Sequence, residues 1–482
     1  MRIYTLLIIT IVGFASCKKD DINTNNTASL EFSQDTIIFD TIFTSIGSIT
    51  KQLMVYNNNN FDITTNIELA ENSNGNFRMN VDGEPGKKIE NVLIRSNDSI
   101  FIFLEVTIDP TNTNTPYLVL DSIMFTTGSN KQNVDLVAYG QDARFYTPNT
   151  YGNWQHPNDT SKFFYYHEIT QNQTWDNIKP HVIYGIISIN PSTELTIAAG
   201  TNIYLHKDAM IIVRGTIKTE GSLGNEITFQ GDRLDSWYDS LPGQWNKVWL
   251  YPGSINNEFN YTNFRNGTIA IHADTIGNSN ATAIINNCRI DNMSSIGILG
   301  QGTNIEVNNS IITKCGQYAV VCNLGGSYKF NHCTFANYWN YTNRNTPSIL
   351  LNNYYEGSNG EIYARDLNNA YFGNCIIDGY LTNEISLQQN IDALFNYTFD
   401  HCLIKINPNE ININDPNYIN IISNEDPGFV NKTLFDFHLN QNSVCKSSGD
   451  IIITQSNYNL YIDIEGNIRN NPPDIGALNS IN

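Results

Sequence analysis

The chain has 482 residues, of which 47 are acidic and 27 are Lys or Arg, so its formal net charge is −20. This charge argues against nucleic acids and other polyanions as partners, because they bind to basic surfaces; a local basic patch is still compatible with the total. With 40% hydrophobic and only 15% charged residues, the chain can bury a core and is not broadly disordered.

The amino terminus has the pattern of an export signal. Arg2 precedes an almost wholly apolar run over residues 3–12, which is too short to cross a bilayer because a spanning helix needs about 20 residues. The run ends in Phe14-Ala15-Ser16-Cys17. This phrase resembles a bacterial lipobox with Phe14 in place of the usual Leu, which implies a signal peptide over residues 1–17 and a lipid on Cys17. The alternative is an ordinary cleaved signal with an incidental Cys.

Residues 18–28 are expected to form a tether. They begin with Lys18-Lys19-Asp20-Asp21, which resembles the short Lys-plus-acidic tag that sends some lipoproteins of Gram-negative bacteria to the outer face of the outer membrane. The alternative is a charged tether that carries no sorting signal. The resemblance implies an outer-membrane lipoprotein at the cell surface, held by its lipid, because more than one acyl chain makes anchoring stable.

Residues 29–142 predict a small antiparallel β-domain. Alternation over residues 100–108 places Ile102, Leu104, Val106 and Ile108 on one face. Further short strands are predicted at 51–56, 117–125 and 133–139, separated by turn residues. This spacing favours a two-sheet sandwich of immunoglobulin type, although there is no Cys–Trp–Cys core. The phrases that begin at Phe39 and Val137 resemble the immunoglobulin-like domains beside the anchor of many bacterial surface proteins. The resemblance implies a spacer; ligand binding is the alternative.

Residues 143–185 form an aromatic connection. They contain Trp154, Phe164 and Trp175 among several tyrosines. The first coil of a solenoid needs a cover, because an open end exposes apolar core and unpaired backbone. We therefore interpret the segment as an amino-terminal cap. An exposed aromatic platform for sugars is the competing interpretation.

A short phrase recurs in the second half of the chain: a polar residue, a small residue and an apolar stretch. The small residues are 22, 23, 42 and 27 positions apart. A repeat in the low twenties with occasional insertions predicts a parallel β-solenoid. The phrases are Asn287-Cys288-Arg289-Ile290, Asn309-Ser310-Ile311-Ile312, His332-Cys333-Thr334-Phe335, Asn374-Cys375-Ile376-Ile377 and His401-Cys402-Leu403-Ile404.

Other sequence motifs indicate the class of solenoid. Residues 195–201, 211–217 and 225–229 resemble the opening of right-handed parallel β-helix domains of the pectin-lyase-like class, with Gly expected at corners where the chain bends. Residues 426–429 and 463–477 resemble the closing segment of secreted bacterial β-helix proteins. The predicted fold class is therefore all-β: an immunoglobulin-like β-sandwich followed by a right-handed parallel β-helix over residues 186–482. This class mixes lyases, hydrolases and non-enzymes.

The cysteines are not expected to form a complete disulfide framework. Lipidation of Cys17 would leave seven of the eight, which is an odd number. Cys288, Cys333, Cys375 and Cys402 share one repeat position and would stack inside the solenoid. Coils lie about 4.8 Å apart, so a disulfide between adjacent coils is geometrically allowed, but buried free thiols are the favoured interpretation. A zinc site is not predicted, because the sequence has neither a close Cys pair nor a matched His pair.

In each coil, one strand is predicted to direct alternate side chains outward. Over successive coils these outward side chains form a row, which is the predicted ligand face. Alternation places Ile271, Ile298, Val320, Leu350 and Leu387 inside. Their outward neighbours form a neutral, amide-rich row with one carboxylate and without Lys or Arg, so the row lacks both the acid pair of a hydrolase and the base of a lyase. The row contains Leu299, Val321 and Leu351 and the candidate ligand residues His272, Asp274, Gln301, Asn323, Asn353 and Gln388.

The insertion over residues 338–366 is a second candidate. It is long enough to overhang the face and carries Tyr341, Tyr354 and Tyr355 together with Arg344. Aromatic rings above a polar groove suit stacking against sugars. The alternative is an aromatic loop that packs on the solenoid.

Three functions follow from these features. The first is non-catalytic binding or adhesion to a glycan. The second is a polysaccharide lyase or glycoside hydrolase with catalytic groups on loops, none of which is assigned. A lyase could use Ca²⁺, and otherwise no cofactor or metal is expected. The third is a structural envelope protein. The expected partners are the outer membrane and a glycan, without nucleic acid, and the protein is expected to be a monomer.

Overall fold

The computed structural model describes residues 28–44, 47–111, 116–274 and 281–481. The predicted signal peptide, Cys17 and all of the tether except Ala28 lie outside these residues. The chain divides into two compact units, and the boundary lies between Asp142 and Ala143. Within the described ranges, no helix is long and apolar enough to cross a membrane.

The first unit is a sandwich of two five-stranded sheets around one core. Alternation along Asp98–Val106 buries Ile102, Leu104 and Val106, so the predicted sandwich is confirmed, while its likeness to immunoglobulin domains stays a prediction. In spatial order, the first sheet contains Glu31–Phe32, Lys51–Asn57, Asp98–Val106, Phe77–Val81 and Glu84–Pro85. The second contains Thr36–Phe43, Asn130–Gln141, Tyr117–Thr127, Ile63–Leu69 and Lys88–Ile94.

The second unit is a parallel β-helix with three faces. Each coil contributes short strands that pair in parallel with the equivalent strands of the next coil, which confirms the predicted β-helix. We call the faces A, B and C in the order in which the chain meets them within a coil from Ile186. Faces A and B join in an eighteen-stranded sheet, and face C is an eleven-stranded sheet. The apolar core runs along the interior of the helix.

The strand bounds of the three faces are as follows. Face A contains Phe164–Ile169, Ile186–Ile189, Met210–Val213, Val248–Leu250, Ile269–Ala273, the first parts of Ile296–Asn308 and Tyr318–Asn331, Ile349–Asn352 and Ile385–Gln388. Face B contains Gln173–Trp175, Glu194–Ala198, Thr216–Glu220, Asn257–Asn260, Ala283–Asn286, the second parts of the same two long strands, Leu367–Gly373, Thr398–Asp400 and Tyr418–Ile419. Face C contains Arg144–Tyr146, His181–Ile183, Asn202–Leu205, Ile227–Gly231, Thr262–Arg265, Arg289–Met293, Ile311–Cys315, Thr334–Asn337, Ile376–Gly379, Leu403–Ile404 and Ile422–Ser423.

The carboxyl-terminal segment packs against face C. Its side chains, including Phe437 and Leu478, form a cluster with Ile311 and Tyr338 of the helix. We call this segment, residues 426–481, the carboxyl-terminal cover. The elements outside the faces are the strand Thr150–Gly152, the helix Ile451–Gln455, the 3₁₀ turns Thr160–Lys162 and Tyr458–Tyr461, and the hairpins Tyr354–Glu356 with Ile362–Ala364 and Phe429–Asn431 with Asp436–Leu439.

The recurring phrase marks the corner between faces B and C. Its first residue adopts a left-handed backbone conformation in every repeat, with φ between 49° at His401 and 54° at Asn287. Asn and His tolerate this conformation better than most residues. The second residue, such as Cys288 or Cys333, is fully buried. The described cysteines are free, and burial raises the pKa of the Cys288 thiol to about 12, so these thiols act as small apolar side chains.

Glycine serves two different purposes at the predicted corners. Gly200 has φ of 77°, so the expectation of a backbone bend is correct there. Gly215 also lies in a bend, but it does not have positive φ: a Cβ on Gly215 would lie 2.2 Å from the Thr193 carbonyl oxygen and 2.3 Å from that of Asn190. Gly215 is therefore required because the preceding coil approaches its backbone closely.

We expect Gly215→Ala to lower the free energy of unfolding of the β-helix unit by about 1–3 kcal/mol, because the added methyl group must push two stacked coils apart. Urea unfolding measures the difference. Gly152→Ala is the matched control, since its new Cβ would meet nothing closer than the Tyr166 hydroxyl at 3.8 Å. Equal stability of the two variants would refute this role for Gly215.

Candidate functional site

The outer surface of face A carries one row of outward-facing residues, each paired with the equivalent residue of the next coil. Hydrogen bonding aligns the members on successive coils, and the neighbours on either side point into the core. From the cap end, the row is Glu168, Ser188, Ile212, Trp249, His272, Leu299, Val321, Leu350 and Ser386.

The predicted register is correct for the first coils and slips later. Ile271, Ile298 and Val320 are buried as predicted. Leu350 was expected inside but lies on the outer row, while its neighbours Ile349 and Leu351 are fully buried. The cause is the run Ile349-Leu350-Leu351, in which all three residues are apolar and alternation gives no signal. Leu387 occupies an inward position paired with Leu351, but it is only partly buried.

The slip also moves one predicted ligand residue. Asn352, not Asn353, pairs with Gln388 on the outer surface. Asn353 is fully buried at a corner, where its Nδ2 donates to the carbonyl oxygens of Asn390 at 2.9 Å and of Ala393 and Leu394 at 3.2 Å. The prediction that Asn353 faces a ligand is therefore wrong, because its amide holds the adjoining loop.

The remaining predicted residues do not form one site. His272 and Gln301 are in contact, with 2.6 Å between Nε2 and Oε1. Asn323 pairs with Gln301 on the next coil, and Asp274 is half-buried beside the same column. Gln388 is exposed and follows two coils later.

The aromatic insertion is divided between two environments. Tyr341 packs on the molecule, because its hydroxyl donates to the Ser240 carbonyl oxygen at 2.5 Å. Tyr355 lies on the hairpin and stacks on Tyr363 at 4.9 Å between ring centroids, and both rings are 44% exposed. Tyr354 pairs within the same hairpin and is half-buried.

An open pocket of about 200 Å³ lies at the cap end of face A. Trp154 meets Phe164 edge-to-face at 5.1 Å and Tyr251 at 6.0 Å, and Tyr251 lies 5.1 Å from Trp249. We call this the aromatic pocket. Its lining residues are Asn153, Trp154, Gln155, Phe164, Ile186, Met210, Ile212, Trp249 and Tyr251. The volume is below the range of about 300–1,000 Å³ for drug-sized ligands, so the pocket suits a single ring.

One strand supplies much of this surface. Val248 and Leu250 are fully buried in the core, so alternation sends Lys247, Trp249 and Tyr251 outward together. The Lys247 ammonium lies over the Trp249 ring, 4.7 Å from its centroid. On the opposite border, the Arg214 guanidinium lies 4.4 Å from the centre of the Trp154 ring.

A polar chain runs from the aromatic pocket along face A. Lys247 Nζ lies 3.1 Å from His272 Nδ1, and His272 Nε2 contacts Gln301. The imidazole is parallel to the Trp249 ring at 5.5 Å. Burial and the Lys247 charge lower the pKa of His272. A neutral ring accepts from Lys247 at Nδ1 and donates to Gln301 from Nε2, and this fixes its orientation.

Lys247 is a candidate functional residue that lies outside the predicted row. The predicted row began at Ile271, one coil too late, and was expected to lack Lys. Burial lowers the pKa of Lys247, while Asp274 opposes this shift. The pattern Lys247-Val248-Trp249-Leu250-Tyr251 alternates between inward aliphatic and outward functional residues, so the signal was present in the sequence.

The cap segment closes the core and also lines a pocket, while its role as a platform for sugars stays a prediction. Trp175 is buried and stacks on Tyr146 at 4.6 Å and on His181 at 4.6 Å, which closes the end of the core. Trp154 and Phe164 instead line the aromatic pocket. Among the residues that the structure describes, no group of three His, Cys, Asp or Glu side chains is placed to hold a metal ion.

No known family model matches the sequence, and no curated protein sequence matches it. Solved structures with partial similarity include the catalytic domain of a GH87 α-1,3-glucanase in complex with nigerose, with 12% identity over 73% of this chain and 81% of that chain at a TM-score of 0.20. A family 123 glycoside hydrolase from Clostridium perfringens has 10% identity, and the match covers 23% of this chain, about a quarter (26%) of that chain, at 0.18. The CooA pilin subunit of enterotoxigenic Escherichia coli has 12% identity over 23% of this chain and 96% of that chain at 0.17. Likenesses this low carry no argument about function; the fold rests on the strand pairing.

Proposed function

We propose that this protein is an outer-membrane lipoprotein, anchored through Cys17 and displayed at the cell surface, whose β-helix binds a glycan without cleaving it. The observation that carries the proposal is the aromatic pocket. Its aromatic and aliphatic side chains form an apolar lining, and the adjoining Lys247, His272 and Gln301 offer polar groups. Sugars match this combination, since a pyranose ring has an apolar face and a rim of hydroxyl groups.

The proposed ligand position spans the pocket and the polar chain. One ring would lie in the aromatic pocket against its apolar lining, and hydroxyl groups of the next ring would reach the Gln301 side of face A. The sandwich, residues 29–142, would act as a spacer between the anchor and the helix. Acyl labelling in cells tests the anchor: labelling that persists in Cys17→Ser would overturn it.

A lyase is the second candidate because of Lys247. Burial lowers the pKa of its ammonium group, which makes the neutral amine more accessible, and a neutral amine is a competent general base. His272 Nδ1, 3.1 Å away, would hold the amine in place by accepting a hydrogen bond from it. The same two residues therefore support binding or base catalysis, and only turnover distinguishes them.

The deciding experiment is a screen of the chain from residue 28 onward against a glycan panel, with and without Ca²⁺. Retention of one glycan without new ends supports the binding protein. Release of unsaturated ends supports a lyase, and release of reducing ends supports a hydrolase. Absence of both retention and cleavage would favour a structural envelope protein.

We expect Trp249→Ala to weaken binding of the retained glycan about two- to ten-fold, because one aromatic contact is worth roughly 0.5–1.5 kcal/mol and tenfold corresponds to about 1.4 kcal/mol. Isothermal titration measures the change. Trp237→Ala is the control, since Trp237 is 77% exposed and does not line the pocket. An equal loss in both variants would argue against the aromatic pocket as the binding site.

A further inference from the structure

A second pocket, of about 330 Å³, lies on the outer surface of face C. Its floor is formed by side chains of successive coils, and one wall is formed by Phe435 and Phe437 of the carboxyl-terminal cover. Within the floor, Arg265 and Asp291 occupy the same register on neighbouring strands, about 4.8 Å apart. The lining residues are Asn263, Arg265, Arg289, Ile290, Asp291, Ile311, Thr313, Phe435 and Phe437.

Asp291 has an unmet hydrogen-bonding requirement. Its Oδ1 is buried and has no hydrogen-bond partner among the residues that the structure describes. A buried acceptor without a donor costs free energy. Burial also raises the pKa of the Asp291 carboxyl, against the opposing charges of Lys314 and Arg265. A ligand that brings an O–H group to this oxygen would satisfy it.

The border of the pocket concentrates positive charge. Arg265 is exposed. Arg289 Nη2 is held by Glu465 Oε1 at 2.9 Å, which fixes the direction of its guanidinium. The Lys314 ammonium lies over the Phe435 ring, 4.0 Å from its centroid. Three cations therefore lie near the pocket, and two carboxylates, Glu465 on Arg289 and Asp291 beside Arg265, balance part of their charge.

We propose that this pocket binds a hydroxylated ring of the size of one sugar that carries a single anionic group. The anionic group contacts Arg265 and Arg289, because guanidinium groups match the planar or trigonal oxygens of carboxylate and sulfate. A ring hydroxyl donates to Asp291 Oδ1, and the apolar face of the ring lies against Phe435, which is half-buried, whereas Phe437 is only 3% exposed. The volume is at the lower end of the range of about 300–1,000 Å³ for small-molecule sites, which favours one ring over a chain. This proposal does not rest on glycan binding at face A.

Isothermal titration of the full-length protein at low salt tests the pocket with three probes: glucose, glucuronate and glucose 6-sulfate. We expect at least one of the two anions to bind ten-fold or more tightly than glucose, and their ratio to distinguish carboxylate from sulfate. Arg265→Gln should remove that preference. Because Arg265 is exposed, this change should leave the fold intact.

Two further variants distinguish binding in this pocket from a general charge effect and from binding at face A. Arg95→Gln removes an equal charge from the sandwich, where Arg95 is exposed, and should keep the preference for the anions. Trp249→Ala disables the aromatic pocket of face A and should also keep it. Glucose binding as tightly as both anions, no binding of either anion, or a preference that survives Arg265→Gln would overturn the proposal.

Discussion

Glu384→Gln is expected to destabilise the β-helix unit by about 3–5 kcal/mol, a larger effect than that of Gly215→Ala. Glu384 and Arg344 form an ion pair in which the side chains are 0% and 3% exposed. Both terminal guanidinium nitrogens are used: Nη1 donates to Oε2 at 2.9 Å and Nη2 to Oε1 at 2.7 Å. Removing one partner of such a pair leaves an uncompensated buried charge, which accounts for the magnitude.

Glu384 also holds the backbone of the insertion that carries Arg344. Its Oε2 accepts from the Ser348 amide at 2.9 Å and from the Ser348 hydroxyl at 2.7 Å, and its Oε1 accepts from the Leu381 amide at 2.9 Å. An amide at position 384 supplies one acceptor oxygen in place of two. Glu384→Gln therefore weakens the hydrogen bonds that hold the loop as well as the ion pair.

Urea unfolding of the wild-type protein and three variants measures this effect. Glu194→Gln is the matched control, since the Lys218–Glu194 pair is 2.8 Å long but its side chains are 33% and 37% exposed, and such pairs contribute about 0–1 kcal/mol. The double variant Glu384→Leu with Arg344→Met should recover much of the loss, because it removes both charges. A Glu384→Gln variant as stable as Glu194→Gln would contradict a stabilising role for the buried pair.

The sequence could not assign Arg344 to this role. The sequence indicates only that Arg344 lies with Tyr341 in an insertion long enough either to overhang the predicted ligand face or to pack on the solenoid. Its partner is 40 residues away in the chain, on the next coil, and only the stacking of coils brings the two together. Long-range ion pairs leave no local pattern.

The solenoid itself was predictable because its rules are local. The phrase Asn287-Cys288 reports a left-handed corner followed by a small interior position, and each property belongs to one residue. Strand alternation likewise located Ile271 and Ile298 correctly. The register was predicted wrongly at Ile349-Leu350-Leu351, because three consecutive apolar residues do not show which side chains point inward. The position of Asn353 was therefore also predicted wrongly.

The candidate site was harder to predict for a different reason. The aromatic pocket combines Trp249 of the fourth strand of face A with Trp154 of the cap, and in the sequence these residues belong to separate segments with separate expected roles. Each residue was visible as an aromatic side chain next to a strand. Their proximity depends on how the cap folds over the first coils, which no spacing within the sequence reports.

The cap should be acid-sensitive through His181. This imidazole is fully buried; its Nδ1 lies 2.8 Å from the Tyr146 hydroxyl and its Nε2 2.9 Å from the Asp176 carbonyl oxygen. The neutral tautomer matches both partners, since Nε2–H donates to the carbonyl and Nδ1 accepts from the hydroxyl. A second proton would make Nδ1 a donor. Burial lowers the pKa of His181 from its ordinary 6.5 to about 4, and the Arg144 charge adds to this shift.

The sign of the pH effect follows from these values. Above pH 6.5, His181 is neutral in both the folded and the unfolded chain, and the protein keeps its full stability. As the pH falls from 6.5 towards 4, the unfolded chain binds a proton that the folded chain does not, so stability is lost; below about pH 4 the loss levels off. The difference between the two pKa values is worth roughly 3 kcal/mol.

We expect wild-type stability to fall across this window by roughly 3 kcal/mol more than that of His181→Gln, since Gln cannot titrate. Urea unfolding at several pH values measures the two slopes, and Trp175 fluorescence reports the cap directly because the Trp175 ring stacks on His181 at 4.6 Å. His332, which is also buried with a lowered pKa, is present in both proteins, so its contribution cancels in the comparison. Parallel slopes would mean that protonation of His181 does not oppose folding of the cap, and the orientation of the imidazole between Tyr146 and Asp176 would then need to be revised.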